Sequence, residues 1–189
     1  SAWWKGRGTP QGTGTKLHSV SGDCARPGVY EYPLGVSVAQ VLHDCGAHQP
    51  QAVQVGGPTG TCLAAPEFKR RLGFEDVPTA GAFMVFGAQR DMFEVAHHFA
   101  QFFAHESCGF CTPCRVGTQL VLRRMDKLAL GHGSPWDLQA LHALDQLRPG
   151  TTHRGRADAH ASGGGVALAS CCAAAPATPT WPRPSATSG

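Results

Sequence analysis

At 189 residues the chain is long enough for one or two small domains, and its formal net charge of +3 is too small to indicate a nucleic-acid partner. It has no run of 18 apolar residues and does not open on a charged segment followed by an apolar one, so we expect neither a transmembrane helix nor a secretory signal. Eight cysteines in a protein that is not exported favour metal binding or redox chemistry over disulfides, and they favour a cytoplasmic location.

Residues 14–90 are predicted to form a small α+β domain, preceded by a linker at residues 1–13. Short strands are expected over 17–21, 28–33, 52–55 and 83–86, because these segments are partly alternating and are separated by turn residues. A helix is expected over 37–45, with its core face formed by Val38, Val41 and Leu42. Residues 56–60 (GGPTG) lack the Lys-Ser/Thr of a P-loop and the order of a dinucleotide motif, so we interpret them as a structural turn.

Three helices are predicted after residue 90. The first follows an N-cap at Asp91, the second runs over 115–128, and the third begins at Ser134, with Pro135 at its first position. The second helix would direct the positive end of its dipole at the cysteines before it, and its Arg123-Arg124 pair is expected on a solvated face. The expected core faces consist of Met92, Val95, Ala96, Phe99, Phe102 and Phe103 in the first helix, Val121, Met125 and Leu128 in the second, and Leu138, Leu141, Leu144 and Leu147 in the third.

Between the first two helices, the run ESCGFCTPCR (residues 106–115) spaces three cysteines at equal intervals: Cys108, Cys111 and Cys114. Such spacing brings three thiolates onto one small surface, and thiolates are the ligands of [4Fe–4S] clusters. Structural zinc sites more often use two separated pairs of ligands. The spacing therefore predicts an iron–sulfur cluster held by these cysteines.

On these residues the chain resembles the flavoprotein subunit of NADH:quinone oxidoreductases. It also resembles the diaphorase subunits of NAD-reducing hydrogenases and NAD-dependent formate dehydrogenases. The match is densest over residues 86–115, and it extends over roughly 3–153. Further matching segments are GTKL (14–17), VSGD (20–23), RPGVYE (26–31) and QVGGPTG (54–60).

The resemblance implies a fold and a function. The fold would be a β-grasp (SLBB-like) domain over 14–90, followed by an all-α helical bundle over 91–153 that binds the [4Fe–4S] cluster. The function would be to pass electrons from FMN to downstream clusters. In the family the domain that binds FMN and NADH lies upstream, so we expect no catalytic, FMN or NAD residue in this chain and no NADH oxidation by it alone. The implied partners are other subunits of an NADH-oxidising complex, including a thioredoxin-like [2Fe–2S] subunit, and such a complex can lie peripherally on the inner membrane.

The family resemblance also implies a fourth cysteine about forty residues after the triplet. Arg154 stands 40 positions after Cys114 instead, and a guanidinium cannot bind iron. Residues 154–189 are rich in Ala, Gly, Ser, Pro and Thr, which predicts a disordered, low-complexity tail. A frameshift near codon 153 is the preferred explanation. The alternatives are a real linker with a non-cysteine ligand, and completion of the site by Cys171, Cys172 or His153.

Two other functions fit parts of the pattern. Zinc bound by the three cysteines and His153 would make the helical region a structural interaction module without redox activity. Thiol–disulfide exchange at C-x2-C is the weaker alternative, because no thioredoxin-like βαβ pattern precedes Cys108.

Overall fold

A computed structural model describes residues 2–151, except for the side chains of residue 142 and of residues 145–151. The predictions on His153, Arg154, Cys171, Cys172 and the tail lie outside the described residues. The helices are α1 (Ala2–Lys5), α2 (Val38–Asp44), α3 (Met92–His105), α4 (Thr112–Ala129) and α5 (Pro135–Thr151), with a 3-10 turn at Ala65–Glu67. The strands are β1 (Thr15–Gly22), β2 (Gly28–Pro33), β3 (Pro50–Val55), β4 (Thr61–Ala64) and β5 (Ala82–Gly87).

The five strands form one mixed sheet in the order β2-β1-β5-β3-β4. Strand β1 pairs with β2 as an antiparallel hairpin and with β5 in parallel, while β3 pairs antiparallel with both β4 and β5. The predicted strands and the predicted helix are confirmed with small differences at their ends. Strand β4 was not predicted, because four residues are too few to show a period of two.

The turn predicted over residues 56–60 connects β3 to β4. Gly56 and Gly57 have φ values of 90° and 81°, a region that side chains rarely adopt. A Cβ atom on Gly60 would lie 1.8 Å from the carbonyl oxygen of Val55, so position 60 has no room for a side chain. The glycines therefore have a structural role, as the sequence indicated.

The first hydrophobic core lies between α2 and one face of the sheet. The helix begins with a hydrogen bond from the Gln40 amide to the Ser37 hydroxyl, and it buries Val38 and Val41 completely. Opposite them lie mostly β-branched and aromatic side chains, which suit a pleated surface. The sheet and loop residues of this core are Val20, Val53, Val55, Leu63, Leu72, Val77, Phe83 and Val85.

The second core joins the helices to the other face of the sheet. Ala52 and Cys62 of the sheet pack in one buried cluster with α3 and α4. In α4 the predicted face of Val121, Met125 and Leu128 is confirmed. In α3 the buried stripe consists of Met92, Ala96 and Ala100.

The predicted core face of α3 needs a correction. Met92 and Ala96 of the predicted face are buried, but Phe102 is 49% exposed, and Ala100, which was not predicted, is buried in its place. Alanine lets a helix approach its neighbours closely, and of the α3 phenylalanines Phe93 packs against this core while partly buried. In α5, Leu138 is likewise exposed, whereas Leu141 packs against the second core.

The start of α5 is an ion-pair network around Asp137. Its carboxylate accepts hydrogen bonds from the Ser134 amide and hydroxyl, as the third residue of a helix does towards the N-cap amide in a capping box. It also pairs with Arg124 and Lys127 of α4, each at 2.8 Å. These contacts hold the pKa of Asp137 well below its ordinary value, with the bond from Lys127 as the largest cause. The expectation that Arg124 lies on a solvated face is wrong, because its guanidinium binds the buried carboxylate.

Within residues 2–151, no helix is long and apolar enough to span a membrane.

Candidate metal centre

The three clustered cysteines lie between the end of α3 and the first turn of α4. The connection is six residues long, from the C-cap Glu106 to the N-cap Cys111. Helix α4 packs against α3, and the His97 Nε2 atom lies 2.7 Å from Asp126 Oδ1 across the pair. The loop is therefore supported by two helices that are themselves seated on the sheet.

The structure places one thiol in the loop and two at the beginning of α4. Cys108 is exposed, while Cys111 and Cys114 are half-buried, and all three are free of disulfides. The helix begins at Thr112, three residues earlier than predicted, so Cys114 lies within its first turn. Among the described residues, no three His, Cys, Asp or Glu side chains converge as a set of metal ligands. The three cysteines are thus close in the chain, but they are not drawn together into a preformed ligand set.

The loop is held by hydrogen bonds around Gly109. This glycine has a φ of 74°, and its amide donates to the Ser107 hydroxyl over 3.4 Å. Its carbonyl oxygen accepts a bond of 3.2 Å from the Arg115 guanidinium. The same Ser107 hydroxyl lies 3.5 Å from the sulfur of Cys114. Sequence reasoning missed Ser107, although a serine two residues before a glycine is a known turn signal.

The charges around the loop favour an anionic group. The first turn of α4 has no side-chain cap from Cys111, and the positive end of the helix dipole is directed at the loop. The Arg115 side chain adds a full positive charge on the same side. Thr118 bonds to the Cys114 carbonyl at 2.8 Å and fixes the backbone that carries this thiol.

The donors at this site fit a [4Fe–4S] cluster. They are three free, soft thiols within seven residues, with a glycine in the left-handed region between the first two. Carboxylates that would favour a hard cation are not part of the triplet. The three cysteines are therefore candidate ligands, and a [4Fe–4S] cluster needs a fourth. The zinc alternative takes its fourth ligand from His153, outside the described residues.

The other described cysteines belong to the packing of the sheet domain. Cys45 and Cys62 are buried in the two cores, as expected for small apolar side chains. Burial, followed by the effect of the neighbouring Cys24, raises the pKa of the Cys45 thiol to about 11. Cys45 is also completely buried, which fits a packing role for its side chain.

Comparison with known proteins identifies related sequences and structures. The family described as the NADH-ubiquinone oxidoreductase-F iron-sulfur binding region matches residues 94–162. The NAD-reducing hydrogenase HoxS subunit alpha of Cupriavidus necator is 42% identical over 72% of this chain and 23% of its own length. The F 2 subunit of the NADH-quinone oxidoreductase of Rhizobium meliloti is 31% identical over 89% of this chain and 42% of its own length.

A solved structure shares the fold. The crystal structure of an NAD+-reducing [NiFe]-hydrogenase in the H2-reduced state superposes with a TM-score of 0.82 and 43% identity, over 92% of this chain and 30% of that chain. The mixed sheet and the helices after it are therefore an architecture found in an experimental structure. The chain spans less than half the length of each of these relatives.

Proposed function

We propose that the chain is an electron-transfer module of an NADH-oxidising flavoprotein subunit, because residues 94–162 match the NADH-ubiquinone oxidoreductase-F iron–sulfur binding family. The observation that supports it most directly is the loop before α4, which presents three free thiols inside the matched region. A [4Fe–4S] cluster, when bound there, would accept and release electrons one at a time.

Each cysteine of the triplet has a distinct place in the proposed site. Cys108 lies on the exposed side of the loop, and Cys111 and Cys114 flank the first turn of α4. The helix N-terminus and Arg115 stabilise the negative charge that thiolates and sulfides bring. Three cysteines leave one ligand to be supplied, and residue 154 lies within the matched region. We propose that Arg154→Cys increases cluster retention.

The flavin and nucleotide chemistry belongs to the whole protein. Because the chain spans 23% of the hydrogenase subunit and 42% of the oxidoreductase subunit, the parts that bind FMN and NADH are proposed to lie in the rest of such a protein. The partners would be other subunits of an NADH-oxidising complex, with a thioredoxin-like [2Fe–2S] subunit as the electron acceptor. We propose that the complex is cytoplasmic and peripheral to the inner membrane. The six free cysteines among residues 2–151 support the cytoplasmic location, where thiols stay reduced.

Metal analysis with electron paramagnetic resonance (EPR) tests the proposal. The full chain is reconstituted anaerobically with iron and sulfide, and its iron, sulfide and zinc contents and EPR spectra are measured with and without dithionite. We expect a four-iron cluster, or a three-iron cluster if the corner iron is lost. Each of Cys108→Ser, Cys111→Ser and Cys114→Ser should lower the cluster content severalfold, because each removes a thiolate ligand.

Cys24→Ser is the matched control, since Cys24 is a half-buried thiol in the sheet domain. It should leave the cluster content unchanged. Equal iron loss in Cys24→Ser and in the triplet variants would refute the assignment. Stoichiometric zinc with no iron would support the structural zinc module instead.

A further inference from the structure

Ser107, next to the first cysteine of the triplet, connects two separate parts of the loop through one hydroxyl group. Its oxygen accepts the Gly109 amide hydrogen at 3.4 Å and lies 3.5 Å from the Cys114 sulfur, within hydrogen-bonding range for sulfur. Ser107 and Cys114 are both half-buried, which limits competition from water. The hydroxyl thus ties the loop to the first turn of α4 at a sulfur proposed as a ligand.

The direction of the bond follows from the state of the thiol. A serine hydroxyl has one hydrogen to donate and two lone pairs to accept with. The Gly109 amide donates to one lone pair. A metal-binding Cys114 is a thiolate without a proton, so the hydroxyl has to be the donor to sulfur. The bond from Gly109 polarises the hydroxyl and strengthens that donation.

We propose that Ser107 is a positioning residue that donates a hydrogen bond to the Cys114 sulfur and thereby raises the reduction potential of the cluster. The inference rests on the proposed function. One-electron reduction adds negative charge that is shared by the sulfurs, so a donor at sulfur stabilises the reduced state more than the oxidised one. The Arg115 bond to Gly109 keeps the loop in the conformation that this contact needs.

A redox titration of the reconstituted full chain, followed by EPR, tests the role of the hydroxyl. Ser107→Ala should shift the reduction equilibrium towards the oxidised cluster by up to about tenfold, which lowers the potential by 59 mV for one electron. Ser107→Thr keeps the hydroxyl and should restore the original potential. Ser19→Ala is the matched control, because Ser19 is an exposed serine of β1, outside the cysteine loop. An unchanged potential in Ser107→Ala, with the cluster present, would overturn the inference and leave the proposed function standing.

Cobalt binding to the apo chain gives a second readout that needs no cluster. A hydrogen bond to a thiolate lowers the energy of the sulfur lone pairs, so its loss should move the thiolate-to-Co²⁺ charge-transfer band to longer wavelength. We expect this shift in Ser107→Ala, but not in Ser107→Thr or in the Ser19→Ala control. Absence of the shift would refute the hydrogen bond. If the wild-type chain retains no iron, yet Ser107→Ala shifts the cobalt band relative to wild type, the proposed function fails and the contact of Ser107 with Cys114 is upheld.

Discussion

Met125 is the buried side chain through which α4 is seated on α3 and the sheet. It is 2% exposed and belongs to the core cluster that contains Ala52 and Ala96. Met125→Ala removes the thioether from a closed interface, since neither the sheet nor α3 can move far to fill the space. Substitutions of this kind cost about 2–5 kcal/mol, and we expect about 3 kcal/mol of unfolding free energy to be lost here.

Urea denaturation followed by circular dichroism measures this loss, and thermal unfolding gives a second value. A protein of this size loses about 2–4 °C of Tm for each kcal/mol, so the Tm should fall by about 6–12 °C. Leu120→Ala is the matched control, because Leu120 lies on the same helix and is 38% exposed. It should cost less than about 1 kcal/mol. Equal costs for the two variants would refute the packing of α4 on the sheet through Met125.

Two further predictions concern the end of β1. Gly22→Ala should be strongly destabilising in urea, because Gly22 has a φ of 94° and a Cβ there would lie 2.2 Å from the Val85 carbonyl oxygen. Gly28→Ala, where the Cβ has open space, should change stability little, and a similar loss in both would contradict this reasoning. Bonds from Arg90, then from the Gly87 amide, hold the pKa of Asp23 at about 2. Because the folded pKa is depressed, this stabilisation is present above about pH 4 and is lost as the pH falls towards about 2. Asp23→Asn should therefore flatten the dependence of the urea midpoint on pH in that window, and an unchanged slope would contradict it.

Elements with a strong local signal could be predicted from the sequence. The period of Val38, Val41 and Leu42 and the cap at Ser37 define α2, and the start of α3 at Asp91 is confirmed by its bond to the Phe93 amide. The turn over residues 56–60 follows from its glycines. The spacing of the three cysteines also identified the region that the iron–sulfur family matches. All these features depend on contacts within a few residues, and such contacts leave a pattern in the sequence.

The contacts between distant segments were decided by the tertiary structure. Helix α3 buries alanines and exposes Phe102, because the close approach to Ala52 and Cys62 favours small side chains over the more apolar ones. Arg124 forms an ion pair with Asp137 because α5 lies beside α4, and the sequence of α4 alone does not show this neighbour.

The sequence by itself determined four of the five strands, the starts of α2, α3 and α5, and the three thiols. Only the folded chain brings Ser107 within 3.5 Å of the Cys114 sulfur, because α4 begins at Thr112 and turns that cysteine back towards the loop. The spacing of residues in the sequence identifies which side chains, such as the three cysteines, can bind a metal. Which groups touch depends on how helices and sheet pack, and packing follows from the whole set of side-chain volumes rather than from any local period.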